Sequence, residues 1–563
     1  MKIEKIKIKN WKSIKGLEID GQDLLIFIGA NNAGKSNILS SLLFFFDEIK
    51  PDQGDICKTS GEDVSSVEIV FKNLTQDDLD EYSDIINNNK IIIKKTFNGT
   101  DNDIFFEKYF KTIDIAVYPW LDYKYEDYKD RTTLGGLPIQ DTVTQLYPTG
   151  TITREKYKEI IDRYKSENPG ILQEKYELIG KTNPLNINVL YVPALKDVND
   201  EFSRGTISKL LKECFDNVFQ HTTVSTITGS IRTEIDKLNE GSVNRPEPLA
   251  ELEREISDGM TDWNAQFKVK FDTNIEDILK TSYKVLINDG VESDITKKGH
   301  GFQRNLIFSL LKIRQSHHGQ NQENSILLFE EPELYLHPQA QRRIYEEIKQ
   351  LSNNLLFTGL TTHSNLFIKL EDYKNVCIVK KELSETKKIQ VNQDIFGTDR
   401  EKFQLQERID ATRSELFFAK KVIIVEGMTD KVSVPFIAKK LNCHKPEYSI
   451  IMCDGKDTIP KYVKLLNNFQ INYIAVFDKD NQGRKNPAQL AEANADSMSI
   501  VNLIDATLGK SVIFENDIEG EVNYQGYVSK KTKPHRCEVF EYISNVTFNI
   551  PNGLEIKIRE IYS

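Results

Sequence analysis

The sequence predicts an α/β protein built from two successive units, and three observations predict it. A glycine-rich loop lies between an apolar run, Leu24 to Ile28, and a helical pattern at 37–46. Two later apolar runs end in paired acids and in a histidine, at 325–331 and 355–363. After Phe417 the pattern restarts, and two more apolar runs each deliver a pair of acids. Strand, loop and helix alternating in this way is the signature of a mostly parallel sheet covered by helices.

The first of these stretches, FIGANNAGKS from Phe27 to Ser36, carries the strongest signal. Ile38, Leu39, Leu42 and Leu43 fall on one helical face behind it. Gly29, Gly34, Lys35 and Ser36 fit the P-loop pattern, in which backbone N–H groups close on phosphates, the lysine reaches the terminal phosphates and the serine hydroxyl helps hold Mg²⁺. Asn32, inside the same loop, joins them as a nucleotide-binding candidate.

Composition narrows the function classes. A chain of 563 residues with 39% hydrophobic content supports several cored domains. No window reaches the apolar length that crosses a bilayer, and MKIEKIKIKNWKSIK lacks the apolar centre of a signal peptide, so a cytoplasmic protein with no membrane partner is expected. The cysteines at 57, 214, 377, 443, 453 and 537 show no CxxC spacing and read as buried thiols. A formal charge of -11 gives no general attraction to nucleic acid, so any DNA contact must come from local basic clusters and bound metal.

Taken in order, Lys2 to Lys9 alternates with period two and predicts a strand with one buried face, opening a sheet beside the P-loop strand. Residues 1–97 form the N-terminal ATPase part, with β-rich runs Val64 to Phe71 and Ile91 to Phe97 as an antiparallel extension. Residues 98–185, rich in Tyr and Asp, read as an insertion, and 186–204 as a return to the core sheet through Leu190 to Ala194. At 205–285 Ile207, Leu210, Leu211, Phe215 and Val218, then Ile231, Ile235 and Leu238, recur at helical spacing. That stretch is read as a projecting arm that dimerises, in preference to an ordinary buried helical lobe.

Residues 286–395 complete the first unit. In KKGHGFQR, Gly299, Gly301 and Gln303 open a helix whose N–H groups face an anion. The strand in SILLFEEPELYLHP ends in Glu330, suited to holding Mg²⁺ through water, and Glu331, suited to polarising the attacking water. His363, in TTHS after the next strand, is placed to contact a γ-phosphate. A linker at 396–420 leads to the second unit at 421–563. There KVIIV ends in Glu426 with Asp430 four residues on, and Tyr473 to Phe477 ends in Asp478 and Asp480. Acids delivered by two strands to one sheet edge suit Mg²⁺, a hard ion that takes oxygen ligands.

GANNAGKS, GHGFQ, LLFEEPELYLHP and TTHS resemble the ATPase core shared by ABC-type and SMC/RecF-type proteins. VEGxxD with FDxD resembles the TOPRIM domain. The two together resemble the OLD (overcoming lysogenization defect) nucleases, including the nuclease subunit of the Gabija antiphage system. The fold implied is an ABC-type ATPase head, a mixed sheet with a P-loop and a helical dimerisation insertion, followed by a C-terminal TOPRIM Rossmann-like domain. The family usually has an aspartate where this chain has Glu330, often Glu where Asp430 stands, and a less acidic residue where Asp480 stands. The resemblance implies a metal-dependent DNA endonuclease with an ATP-binding head. ATP with Mg²⁺ occupies the head and Mg²⁺ or Mn²⁺ the TOPRIM site, held by Glu426, Asp430, Asp478 and Asp480. It also nominates Asp517 and Glu519 in FENDIE as later ligands, Lys533 as the charge that stabilises the leaving group, and Gly455 and Lys456 as phosphate contacts. Implied partners are DNA, a second copy in a homodimer or dimer of dimers, and a defence-system subunit such as a helicase or a reverse transcriptase with its noncoding nucleic acid. The rival reading is a RecF/SMC-like DNA-binding ATPase whose TOPRIM domain is non-catalytic.

Overall fold

The computed structural model describes residues 1–113, 120, 123–168, 172–194, 210, 226, 229–235, 247–259, 286–288, 290, 292–294, 297, 299–318, 324–397, 413–479, 487–524 and 536–563. The chain divides into two compact units, Met1–Val189 with Leu370–Ser563, and Leu190–Lys369.

The first unit opens with β1 (Lys2–Trp11), β2 (Ile14–Asp20) and the P-loop strand β3 (Leu24–Ile28). Then come β4 (Val64–Lys72), the short β5 (Ile86–Asn87), β6 (Lys90–Asn98), β7 (Asp103–Ile113) and β8 (Leu172–Gly180). An antiparallel sheet runs in the order β2-β1-β4-β6-β7-β8, with β5 paired to β6. β1 therefore pairs with β2 and β4, and not with β3 as its position in the sequence suggests. The reason is legible in the side chains: β1 alternates and needs one solvated face, whereas every residue of β3 is buried. On the outer face Glu18, Lys7, Glu68, Lys94 and Glu107 stand opposite one another across five strands. Lys7 meets Glu68 at 2.7 Å and Lys94 meets Glu107 at 2.9 Å, the opposite-charge pairing that favours this register.

β7 and β8 fall within the span 98–185 and extend this sheet. Between them the described residues form a small helical module with its own core of Trp120, Tyr128, Leu134, Ile139, Val143, Ile152, Tyr157 and Ile160. Its tyrosines are largely core residues: the rings of Tyr128 and Tyr157 stack at 3.9 Å.

The second unit begins within β9 (Asn188–Val192) and contains the short hairpin β10 (Leu286–Asn288) and β11 (Glu292–Asp294). Its main strands are β12 (Ser325–Glu330) and β13 (Phe357–Thr361), parallel and in the order β13-β12-β9. Helices His300–His318 and Pro338–Ser352 flank them in sequence. Most of the arm at 205–285 lies outside the described residues; helix Glu247–Gly259 lies within them.

Back in the first unit, β14 (Val376–Glu382) runs parallel to β3, pairing Ile378 with Ile28, and turns into the antiparallel β15 (Glu385–Gln390). The remaining strands, β16 (Lys421–Val425), β17 (Tyr448–Met452), β18 (Tyr473–Asp478) and β19 (Gly509–Phe514), form an all-parallel sheet in the order β17-β16-β18-β19. Its core joins Ile423, Val425, Ile474, Val476, Val512 and Phe514 to helices Met428–Lys440, Arg536–Ser544 and Asn552–Ile561. Cys57, Cys377 and Cys453 are buried, Cys443 is half-buried, and Cys537 is exposed, contrary to the reading of the cysteines as buried. Burial pushes the Cys377 thiol up to about 12 and that of Cys453 well above its ordinary value, which leaves both unreactive.

Candidate functional site

The P-loop occupies the turn between β3 and helix Lys35–Phe45. Gly34 is the helix cap at φ 106°, and a Cβ there would stand 2.1 Å from the Thr386 hydroxyl, so no other residue fits. Asn32 also sits in the left-handed region, at φ 62°. Lys35 is buried, and its Nζ donates to the carbonyls of Gly29 and Ala30 at 2.9 and 3.0 Å, hooking the ammonium over the loop. Ser36 is exposed at the helix start. The helix's first turn contains no acid, which leaves its positive dipole end available to an anion.

The loop is braced from a strand that sequence reasoning did not connect with it. Asn37 Nδ2 donates to Ser13 Oγ at 2.7 Å, Ser13 Oγ and Thr386 Oγ1 stand 2.7 Å apart, and Thr386 Oγ1 donates to the Ala33 carbonyl at 3.1 Å. At the other end of the helix, buried Lys95 donates to the Phe44 carbonyl at 2.5 Å and pairs with Asp47. A cation at a helix C-terminus is stabilising; burial holds this lysine below its usual range, while Asp47 opposes the shift. Lys95 and Thr386 carry no local sequence signal, because they reach the two ends of this loop and helix from distant strands.

In the second unit, Glu330 ends β12 opposite Thr361 of β13. Glu331 takes φ 45°, and its N–H donates to the Thr361 carbonyl at 2.9 Å. One Glu331 carboxylate oxygen lies 3.8 Å from His363 Nε2, so the structure brings these two predicted residues together. Glu333, absent from the sequence expectations, accepts the His363 N–H at 2.6 Å. Burial raises its pKa, partly opposed by that hydrogen bond. Its signal was its place in the acid run EEPE. Gly299 precedes helix His300–His318 and Gly301 lies inside it, where a Cβ would meet the Tyr335 carbonyl at 2.7 Å. The need for glycine at 301 is therefore met by packing as well as by any anion. Gln303 belongs to the same helix.

In the all-parallel sheet, β16 is followed by β17 on one side and β18 on the other, so the strand order reverses between β16 and β18. Ligands of open α/β sheets bind outside the strand C-termini at such a point. Glu426 follows the end of β16 and Asp478 closes β18 on the same edge, since Val425 pairs with Val476. Asp478 is 5% exposed. Asp430, also buried, caps the following helix by accepting the Gly427 N–H at 3.1 Å. Lys456 is not on the surface: it is buried, and its Nζ donates to the Asp478 carbonyl at 2.5 Å, while the Gly455 N–H donates to the Glu426 carbonyl at 3.1 Å. The Gly-Lys pair thus ties the two acid-bearing strand ends together. Asp517 caps the turn Ile518–Glu521 through the Gly520 N–H at 2.9 Å, and Glu519 is fully buried. Asp480 and Lys533 lie outside the described residues.

The donor set is carboxylate oxygen without sulfur or imidazole, which fits a hard divalent cation. Among the described residues no three Asp, Glu, His or Cys side chains form one metal-holding group.

Comparison with known proteins agrees with this architecture. The AAA ATPase domain family matches residues 1–368. The chain belongs to that family. Residues 417–480 match the TOPRIM domain of overcoming lysogenization defect protein-like proteins, so this AAA-family chain carries an OLD-like TOPRIM domain. It is 23% identical over 519 residues to the Old nuclease of Escherichia phage P2, covering 85% of this chain and 77% of that protein. It is 22% identical over 586 residues to the endonuclease GajA of Bacillus cereus (strain VD045), covering 100% of this chain and 90% of that protein. The OLD nuclease of Thermus scotoductus is 26% identical over 204 residues, 34% of this chain and 37% of that protein. An ATPase domain joined to a TOPRIM domain implies use of a nucleotide and a divalent metal. Among the described residues no helix is long and apolar enough to cross a membrane.

Proposed function

We propose that this chain is a divalent-metal-dependent DNA endonuclease regulated by its ATP-binding head and acting in defence against phage. The observation that carries the reading is that Glu426 and Asp478 stand at the C-terminal ends of neighbouring strands, at the strand-order reversal of an all-parallel sheet, in a chain that also holds a P-loop. The nuclease names of its relatives support it.

Glu426, Asp430, Asp478 and Asp480 would hold Mg²⁺ or Mn²⁺, with Asp517 and Glu519 as further acids of the set. Bound there, such ions would supply an activated water and charge neutralisation at the departing 3′ oxygen. The chain's own residues position this chemistry. Lys456 fixes the Asp478 main chain, the Asp430 cap fixes the helix start beside Glu426, and Lys533 places positive charge at the leaving group. A net charge of -11 makes local cations and metal the chief DNA contacts, so affinity depends on the ion.

In the first unit, Lys35 and the loop N–H groups bind the ATP phosphates and Ser36 helps hold the associated Mg²⁺; in the second unit, Glu330 is an acid suited to Mg²⁺. Glu331 polarises water and His363 contacts the γ-phosphate. The helix start at Gly299–Gln303 caps the nucleotide of a second copy, which makes the working form a homodimer or dimer of dimers. The test is plasmid nicking in Mg²⁺ or Mn²⁺. Glu426→Ala and Asp478→Ala are each expected to abolish nicking while the protein still folds and binds ATP. Undiminished cleavage by both variants sinks the assignment and leaves the reading of a DNA-binding ATPase with a non-catalytic TOPRIM domain.

A further inference from the structure

We infer that Arg304 is the positioning residue that holds Glu331 in its active conformation, and that it does so from the helix carrying Gly299, Gly301 and Gln303. The inference rests on Glu331 as the hydrolytic base and names what aims it.

Glu331 sits at φ 45°, a left-handed conformation that is strained for a glutamate and persists only where neighbours enforce it. Both of its peptide groups are pinned. Its N–H donates to the Thr361 carbonyl at 2.9 Å and approaches the Thr361 hydroxyl at 3.3 Å. Its carbonyl accepts from Arg304 Nη1 at 2.8 Å. The first contact fixes the peptide plane before Glu331 and the second the plane after it, so together they set the direction of the side chain toward His363, 3.8 Å away.

Arg304 is itself a built feature. It is only 6% exposed, its Nη2 donates to the Ala194 carbonyl at 2.8 Å, and its guanidinium lies 5.5 Å from the centre of the Phe329 ring. Phe329 in turn stacks on Phe308 of the same helix as Arg304, at 5.2 Å. A planar guanidinium can serve two carbonyls at once in a fixed fork, which a lysine ammonium on a flexible stem does not reproduce. Two of its donors go to backbone carbonyls, and one of these belongs to a residue held at positive φ at a strand end. Arg304 also lies three residues past Gly301, so the helix start proposed to meet a second copy's nucleotide is joined through one side chain to the base.

The test is steady-state ATP hydrolysis by four full-length proteins: unmodified, Arg304→Lys, Glu331→Gln and the double variant. Arg304→Lys keeps the charge but loses the fork, and melting temperatures monitor folding. Arg304→Lys is expected to lower kcat by about 10- to 100-fold, the scale of a misaimed catalytic group, with KM for ATP within about twofold. In the Glu331→Gln background the same change is expected to cost less than about twofold, because the group it aims is already gone. An equal fold-loss in both backgrounds, or no loss in either, overturns the inference: the first outcome makes Arg304 a purely structural residue. Glu331→Gln hydrolysing at the unmodified rate defeats the base reading itself, and a chain that never hydrolyses ATP defeats both.

Discussion

The phosphate loop after β3 and the carboxylate edge between β16 and β18 both stand at the C-terminal ends of buried strands, yet they are constructed in opposite ways. The loop is made of backbone. Its donors are N–H groups whose directions depend on Gly34 at φ 106° and Asn32 at φ 62°, and it is stiffened by a hydroxyl relay from Ser13 and Thr386. The edge is made of side chains on ordinary strand ends, and its backbone is tied by Lys456 and Gly455. A site of the first kind needs particular residues at fixed spacing. One of the second kind needs only acids that arrive at the right strand ends, so its sequence signal is residue type plus topology.

The largest effect that would sharpen this contrast falls on the one side chain the loop does depend on. Lys35 brings the only ammonium that hooks over Gly29 and Ala30 among the described contacts of the loop. Lys35→Ala is expected to weaken ATP binding by about 2–5 kcal/mol, the usual cost of removing one partner of a buried charge pair. A fluorescent ATP analogue titrated in Mg²⁺ measures it. If binding survives nearly intact, the backbone alone suffices and the loop is even more purely a main-chain site than the comparison holds.

The same contrast explains what could be read without coordinates. The loop, strands β12 and β13, and the acid-closed ends of β16 and β18 are legible, because each is a local pattern: glycine spacing, or a short apolar run closed by polar residues. β1 was correctly read as a strand and wrongly given β3 as a neighbour, since alternation fixes which face is buried but not which strand lies alongside. Lys456 looked like a phosphate contact; its burial and its bond to the Asp478 carbonyl depend on how β17 and β18 are ordered, which no local pattern encodes. Thr386, Lys95 and Arg304 were invisible for the same reason. Each acts on a backbone carbonyl that the chain brings close only by folding.

A middling effect tests the brace. Thr386 is buried, and Thr386→Val keeps its shape while removing the hydroxyl that joins Ser13 to the Ala33 carbonyl. Leaving those groups unsatisfied is expected to cost about 1–3 kcal/mol of stability and to raise KM for ATP several-fold, as the loop loses its support. Denaturant unfolding and ATP titration read the two consequences. A stability loss with unchanged KM would show that the relay holds the two strands together without shaping the loop.

The smallest effect concerns pH and belongs to the second unit, where the site also relies on side chains. Glu333 is largely shielded from water beside Glu331, and burial raises its pKa above the ordinary 4.5, with the His363 and Thr362 hydrogen bonds opposing the rise. A group whose folded pKa is raised binds more protons in the folded state than in the unfolded one across that interval. Its stabilising contribution is therefore complete below the ordinary value and is lost as pH rises through the folded one. Glu333→Gln keeps an oxygen to accept the His363 N–H and carries no charge at any pH. Between pH 4.5 and neutrality, the melting temperature of the unmodified protein is expected to fall relative to that of Glu333→Gln. Parallel curves would place the Glu333 carboxylate in contact with water, and the hold on His363 would then come from its hydrogen bond alone.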